Sequence, residues 1–130
     1  MGATEDVEVI RRGYAAFSAG DLATLTELFT DDAVWHVPGS GSLSGTKHGR
    51  DEILSFFGEL MTRSDGTLVV TLDDVVAGDN HTVALNRNQA TRDAHTLEQN
   101  AVIVFQLRDG RVADARQFFD DTAKNDEFWK

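Results

Sequence analysis

Histidine is the side chain whose ordinary pKa, ~6.5, best suits proton transfer near neutral pH. The chain has four: His36, His48, His81 and His95. Their spacing matches no zinc motif, and we expect no metal site. His36 lies in a short β-branched and aromatic segment that ends at Pro38, and it is the candidate catalytic acid or base. The alternative is a hydrogen-bonded structural histidine, because strict strand alternation places His36 on the face opposite Trp35 and Val37.

Amide side chains form a second set of candidates. In the alternating segment 82–92, Asn86 and Asn88 fall on one face of a strand and Arg87 falls on the other. Amides bind carbonyl and hydroxyl groups but do not titrate. The alternative is that they satisfy one another or bind water, because a buried amide without partners costs ~1–3 kcal/mol.

Composition excludes several classes of function. The 130 residues carry 12 Lys and Arg against 22 Asp and Glu, a net charge of −10, so we expect neither nucleic acid nor a membrane surface as partner. The absence of cysteine excludes disulfides, thiolate catalysis and Cys-ligated metals. With no long apolar run and no signal-like N-terminus, we expect a single domain spanning 1–130 in the cytoplasm.

The elements that must position these side chains begin with helices. Apolar residues recur at three- and four-residue steps at Val7, Ile10, Tyr14 and Phe17. Thr4 is the expected N-cap of this first helix, and Gly20 is its expected end. Asp21 caps a second, short helix. The Gly- and Ser-rich segment 39–49 predicts a loop, and a third helix follows over about 50–61.

Beyond Gly66 the hydrophobic period changes from 3.6 to two, which is typical of strands. Four long strands joined by hairpins follow, and Asp109-Gly110 is the strongest turn signal. The tail predicts one or two helical turns, with Phe128 and Trp129 folding back. This order predicts an α+β fold in which three N-terminal helices pack on a strongly curved antiparallel sheet, leaving a cone whose mouth can hold a small molecule.

Several short motifs coincide with the caps, turns and core positions of a known family. They are Tyr14-Ala15-Ala16-Phe17, Ala19-Gly20-Asp21-Leu22, Leu28-Phe29-Thr30-Asp31-Asp32-Ala33-Val34, Gly49-Arg50-Asp51-Glu52-Ile53 and Phe105-Gln106-Leu107-Arg108-Asp109-Gly110-Arg111-Val112. Over nearly the whole chain they resemble the SnoaL-like and ketosteroid-isomerase-like branch of the nuclear transport factor 2-like superfamily. The resemblance implies the cone-shaped fold, but its members include polyketide cyclases, isomerases and non-catalytic binding modules, so the fold does not choose the chemistry.

The resemblance also implies which residues face the pocket. The expected substrate-binding residues are Trp35, Val37, Asn86, Asn88, Ile103, Phe105, Gln117 and Phe119. Steroid isomerisation is not expected, because the positions of the family's base and two oxyanion donors hold Val37, Gly13 and Ile103, with Tyr14 one position away. His36 lies at the level of that base, which is why it is the catalytic candidate.

Two functional hypotheses follow. The first is cofactor-free acid–base chemistry (cyclisation, isomerisation or dehydration) on a hydrophobic metabolite that bears a carbonyl group. The second is a non-catalytic module on the same fold that binds a ligand or a partner. We also expect a homodimer, because Val69, Thr71, Val102 and Val104 give the outer sheet face an apolar surface that no helix covers.

Overall fold

Four helices and six strands make up the structure, a computed structural model that describes residues 2–130. The helices are α1 (Ala3–Ala19), α2 (Leu22–Leu28), α3 (Arg50–Arg63) and α4 (Thr122–Trp129). The strands are β1 (Phe29–Val37), β2 (Gly45–His48), β3 (Val69–Ala77), β4 (Thr82–Arg92), β5 (His95–Arg108) and β6 (Arg111–Phe119). The predicted α+β fold is confirmed, with three helices before the long strands and a short fourth helix after them.

Local signals set most helix ends. Gly20 ends α1 in the left-handed conformation at φ 68°, and its N–H donates to the carbonyl oxygens of Ala16 and Phe17. The Asp21 carboxylate begins α2 by accepting from the backbone N–H of Thr24 at 3.1 Å. The expected cap at Thr4 is wrong, because α1 already begins at Ala3 with Gly2 at the N-cap position and no side-chain cap.

The six strands form one sheet in the order β2-β1-β6-β5-β4-β3. All neighbours are antiparallel except β1 and β6, which run parallel. Irregularities at Leu72–Asp74 in β3 and at Gln106–Leu107 in β5 interrupt the ladders, and such bulges bend a sheet. The sheet is therefore antiparallel, as predicted for the hairpin-linked strands, except at this one parallel pair.

The segment 39–49 is not entirely a loop. Residues 45–48 form β2, which pairs antiparallel with β1 from Val37↔Gly45 to Val34↔His48. Strand formation here depends on the tertiary pairing with β1 rather than on local propensity. This pairing places Thr46 beside His36, with consequences for that histidine.

The helices cover one face of the sheet. α1 packs across β3 and β4, α3 across β1 and β2, and α4 against β5 and β6. The side chains facing the helices alternate with exposed ones, and in β4 this buries Asn86, Asn88 and Ala90. The predicted fold-back of the tail is confirmed, because Phe128 and Trp129 are buried. Within residues 2–130, no helix combines the length and apolar character that a membrane crossing requires.

Candidate functional site

A cavity lies between the concave face of the sheet and the four helices. The centre of a water-sized sphere can move through about 110 Å³ of it, several times the ~10–15 Å³ that one water molecule needs. Its wall is mostly aliphatic and aromatic, and Tyr14 is the one ionisable side chain among its described lining residues. The site therefore suits a neutral, largely hydrophobic molecule.

All eight residues that the sequence analysis assigned to ligand binding line this cavity. They are Trp35, Val37, Asn86, Asn88, Ile103, Phe105, Gln117 and Phe119. Strand alternation explains their convergence, since Asn86 pairs with Ala101 and Ile103 pairs with Gln117 on the concave face. Their role in binding a ligand stays a prediction.

An aromatic cluster forms one wall around Trp35. Its indole meets the rings of Phe57 and Phe105 edge-to-face, with centroids 5.2 and 6.0 Å apart. Phe56 and Phe29 flank the indole at 6.4 and 6.2 Å. These rings pack against one another as core while also facing the cavity, so they offer a ligand a rigid apolar surface.

Trp35 also anchors one amide of the cavity. The indole Nε1–H donates to Oε1 of Gln117 at 3.1 Å. Gln117 is half-buried, and the described residues offer no partner to its Nε2 amino group. The side chain is thus fixed at one end and has free hydrogen-bonding capacity at the other.

A chain of three polar side chains crosses the opposite part of the cavity. The Tyr14 hydroxyl donates to Oδ1 of Asn86 at 2.8 Å, and Nδ2 of Asn86 donates to Oδ1 of Asn88 at 2.9 Å. Burial raises the pKa of Tyr14 above its ordinary value of 10.0. Tyr14 therefore stays a neutral hydrogen-bonding group at physiological pH. The bond between Asn86 and Asn88 agrees in part with the alternative that the amides satisfy one another's hydrogen-bonding groups.

Tyr14 is not among the residues expected at the site, because the resemblance places the family's tyrosine at position 13. In the structure both Gly13 and Tyr14 line the cavity, since neighbouring residues of a helix differ by only about 100° in direction. The signal was present in the sequence. Tyr14 lies on the same apolar stripe as Ile10 and Phe17, and that stripe faces the sheet.

Gln99 and Asn125 are further polar residues of the lining that sequence reasoning missed. Nε2 of Gln99 donates to Oδ1 of Asn125 at 3.0 Å, and both side chains are buried. The remaining Oε1 of Gln99 is buried without a partner in the described residues. Gln99 lies two residues before Ala101 in β5, so strand alternation predicts that it faces the cavity. Asn125 could be identified only from the position of α4 on the sheet, which no sequence pattern gives.

His36 lies outside the cavity. Its ring is on the outer face of β1, with Nε2 3.1 Å from Oδ2 of Asp114 and Nδ1 3.2 Å from Oγ1 of Thr46. Alternation holds to the end of β1, where Trp35 and Val37 are buried, and this directs His36 away from the lining. The catalytic assignment of His36 is therefore not supported, and the geometry matches the structural alternative.

Two further features bear on possible chemistry. The residues 2–130 contain no cluster of three or more His, Cys, Asp or Glu side chains able to hold a metal ion. Arg87, on the outer face, forms a bidentate ion pair with Asp73. The Arg87 guanidinium therefore has its charge partner on the outer face, and no role in the cavity is needed to account for it. What remains at the site is a hydrophobic chamber with neutral polar groups at separate places.

Comparison with known proteins identifies similar chains. The model of the SnoaL-like domain family matches residues 10–115. The uncharacterised protein Rv0034 of Mycobacterium tuberculosis is 36% identical over 125 residues, covering 95% of each chain. The structure of Bal32a, from a soil-derived mobile gene cassette, is 40% identical with a TM-score of 0.96 over 98% of both chains.

A third similar protein, whose structure is known, is IdmH from Streptomyces antibioticus, to which a polyketide cyclase role is provisionally assigned. Its loop-truncation variant is 26% identical, with a TM-score of 0.77, and the match covers 94% of this chain and 98% of that one.

Proposed function

Because this chain belongs to the SnoaL-like domain family, we propose that its cavity binds a neutral, largely hydrophobic small molecule that bears a carbonyl group. One observation carries the proposal: the lining is apolar except for amides, the Trp35 indole N–H and the Tyr14 hydroxyl. A charged ligand would lose its hydration here without gaining an opposite charge, which is costly. A carbonyl oxygen, in contrast, finds amide donors.

Binding without catalysis is the form of this function that the geometry supports best. Acid–base chemistry on a carbonyl compound needs a base near the reacting carbon, and no carboxylate or imidazole is among the described lining residues. His36 is on the other side of β1, bound to Asp114. Amides and aromatic rings can hold and orient a ligand without taking a proton from it.

Tyr14 supports a second candidate, a cofactor-free cyclase, isomerase or dehydratase. A neutral hydroxyl in an apolar cavity can donate to a carbonyl oxygen and stabilise the negative charge that develops there. To do so, Tyr14 would exchange its bond to Asn86 for one to the substrate. The likeness to IdmH favours this candidate at the level of the family.

Ligand binding can be tested with the protein's own fluorescence, because both of its tryptophans, Trp35 and Trp129, line the cavity. We expect 2-acetylnaphthalene, a neutral aromatic ketone, to quench this fluorescence saturably with one site per chain. Gly13→Leu extends a side chain from α1 into the cavity, where only Leu28 Cδ1 lies within 4 Å of the first added carbon, at 3.8 Å. We expect it to weaken binding at least tenfold.

The matched control is Ala15→Leu, the same product residue on the exposed side of α1, which should bind like the unmodified protein. Equal binding by both variants, or no saturable binding by the unmodified protein, would contradict the proposal. The protein is then incubated for a long time with hydroxyketones and β-diketones, and the products are analysed. This separates the non-catalytic binding protein from the cofactor-free enzyme. Turnover that Tyr14→Phe abolishes would favour the enzyme.

A further inference from the structure

The direction of the hydrogen bonds in the cavity limits what a ligand can offer to it. An indole N–H donates and never accepts, so the Gln117 atom 3.1 Å from Trp35 Nε1 must be the amide oxygen. The amino group of Gln117 is consequently turned away from Trp35. Gln117 lines the cavity, and its amino group is a hydrogen-bond donor with no partner among the described residues.

The same polarity recurs at Asn88, on the part of the sheet farther from Trp35. Its Oδ1 accepts from Nδ2 of Asn86, which leaves the Nδ2 amino group of Asn88 without a partner in the described residues. The amide oxygen that accepts no hydrogen bond belongs to Gln99, and that atom is fully buried. Beside Gln117 a ligand therefore meets a free donor and an amide oxygen that already accepts one hydrogen bond. The Tyr14 hydroxyl oxygen, which donates to Asn86, is an acceptor at another place in the lining.

We propose that the Trp35–Gln117 pair is a specificity determinant that makes the cavity select ketones over the corresponding alcohols. This inference rests on the proposed function. A ketone oxygen accepts from the Gln117 amino group and brings no proton that needs a partner. An alcohol can accept the same bond, but its own hydroxyl proton must share Oε1, whose other lone pair already accepts from the Trp35 indole, or stay unsatisfied, and either arrangement costs affinity.

A matched ligand pair tests the preference directly. Isothermal titration calorimetry with 2-acetylnaphthalene and with each enantiomer of 1-(2-naphthyl)ethanol compares molecules that differ only at the carbonyl. We expect the ketone to bind about tenfold more tightly. Because both ligands have the same ring system, general apolar attraction cancels in the ratio.

Two variants test the assigned mechanism. Trp35→Phe keeps an aromatic ring but removes the N–H, so the Gln117 amide is free to turn and accept, and the ratio should fall toward one. Gln117→Glu at pH 8 replaces the donor by an acceptor beside the indole, and the preference should reverse toward the alcohol. A variant that merely disturbed the packing would weaken both ligands together and leave the ratio unchanged.

The outcomes separate this inference from the proposed function. Equal affinities for ketone and alcohol in the unmodified protein would overturn the inference and leave the proposed function standing. An unchanged ratio in Gln117→Glu would also overturn it, and that variant decides alone if Trp35→Phe does not fold. If neither naphthyl ligand binds the unmodified protein, the proposed function and the inference both fail.

Discussion

Tyr14 is the ionisable residue of the cavity, and its environment has a consequence for stability at high pH. Burial raises its pKa in the folded chain above the ordinary 10.0, so above pH ~10 the unfolded chain loses this proton while the folded chain keeps it. Its contribution to the free energy of unfolding is thus fully present below pH 10 and is lost as the pH rises further.

The chain has a single tyrosine, so tyrosinate absorbance reports on Tyr14 alone. We expect little ionisation at pH 10.5 in the folded protein and more than half in urea. We also expect Tyr14→Phe to lose stability less steeply above pH 10, although it costs about 1 kcal/mol at neutral pH by removing the bond to Asn86. A folded-state midpoint near pH 10 would contradict this account.

A substitution at His36 tests whether this side chain takes part in ligand binding. His36→Gln should leave the affinity for 2-acetylnaphthalene within twofold of the unmodified value, because the ring lies on the outer face against Asp114 and Thr46. Its effect on stability should be below about 1 kcal/mol, since the hydrogen-bonded His36 and Asp114 side chains are both partly exposed. A tenfold loss of affinity in a fluorescence titration would show that His36 does take part in ligand binding.

Strand alternation in the sequence predicts which strand residues face the cavity. Alternation depends only on the pleat of a strand, so once the register of β4 to β6 is right, Asn86, Ile103 and Gln117 fall on the concave face together. The same rule predicts that His36 faces away from the cavity, as the structure shows. Partnerships such as Trp35 with Gln117 join β1 to β6 across a long sequence separation, and no local pattern specifies them.

Among the elements, α4 closes part of the cavity and is held by polar contacts at its outer side. The Asp126 carboxylate accepts from the backbone N–H of Ser40 at 2.9 Å and from Ser44 Oγ at 3.2 Å. Gly39 has a positive φ of 97° and a Cβ there would crowd the Asp126 carboxylate, so glycine suits the close wrap of the loop around Asp126. Asn125 and Trp129 face inward from the same helix.

We therefore expect Asp126→Ala to loosen α4 selectively. Amide hydrogen exchange in residues 122–129 should accelerate at least fivefold, while exchange in β4 and β5 stays unchanged. Glu127→Ala is the matched control, because Glu127 is exposed and, within residues 2–130, its carboxylate bonds only to Lys130. Equal effects of the two variants would show that the loop around Asp126 does not hold the helix.

Element boundaries were predictable where a local signal exists. Gly20, Asp21 and the Asp109-Gly110 turn act through their own backbone or side-chain geometry, and Asp109 and Gly110 both adopt positive φ as that hairpin requires. β2 and the parallel β1–β6 pair were missed. β2 follows β1 after a short loop but is defined by its pairing with that strand, and the β1–β6 pair joins segments far apart in the sequence, so both depend on tertiary pairing rather than on a local signal.

For the whole molecule, the outer face of the sheet supports the expected homodimer, which stays a proposal. An outer-face patch runs across four strands in register and consists of Val76, Val83, Leu85, Val102, Val104 and Phe118. Val76, Leu85 and Phe118 are 55%, 40% and 47% exposed. Apolar patches of this kind mark interaction surfaces.

Light scattering at micromolar concentration should give twice the 14.3 kDa of the chain, and Leu85→Lys with Phe118→Lys should give the monomer. Because each chain carries a net charge of −10, we expect moderate salt to strengthen the dimer by screening repulsion. A mass of 14.3 kDa for the unmodified protein in 0.15 M salt would rule the dimer out.

The place where a ligand binds distinguishes the cavity from the outer face of the sheet. Nitrogen–proton correlation spectra recorded with 2-acetylnaphthalene should move the indole N–H signals of Trp35 and Trp129 and the side-chain amino signals of Gln117 and Asn88. All of these groups belong to cavity-lining residues. Backbone signals of Val102 and Val104, whose side chains face outward, should move less. Shifts confined to the outer-face patch, with the two indole signals unmoved, would contradict the account.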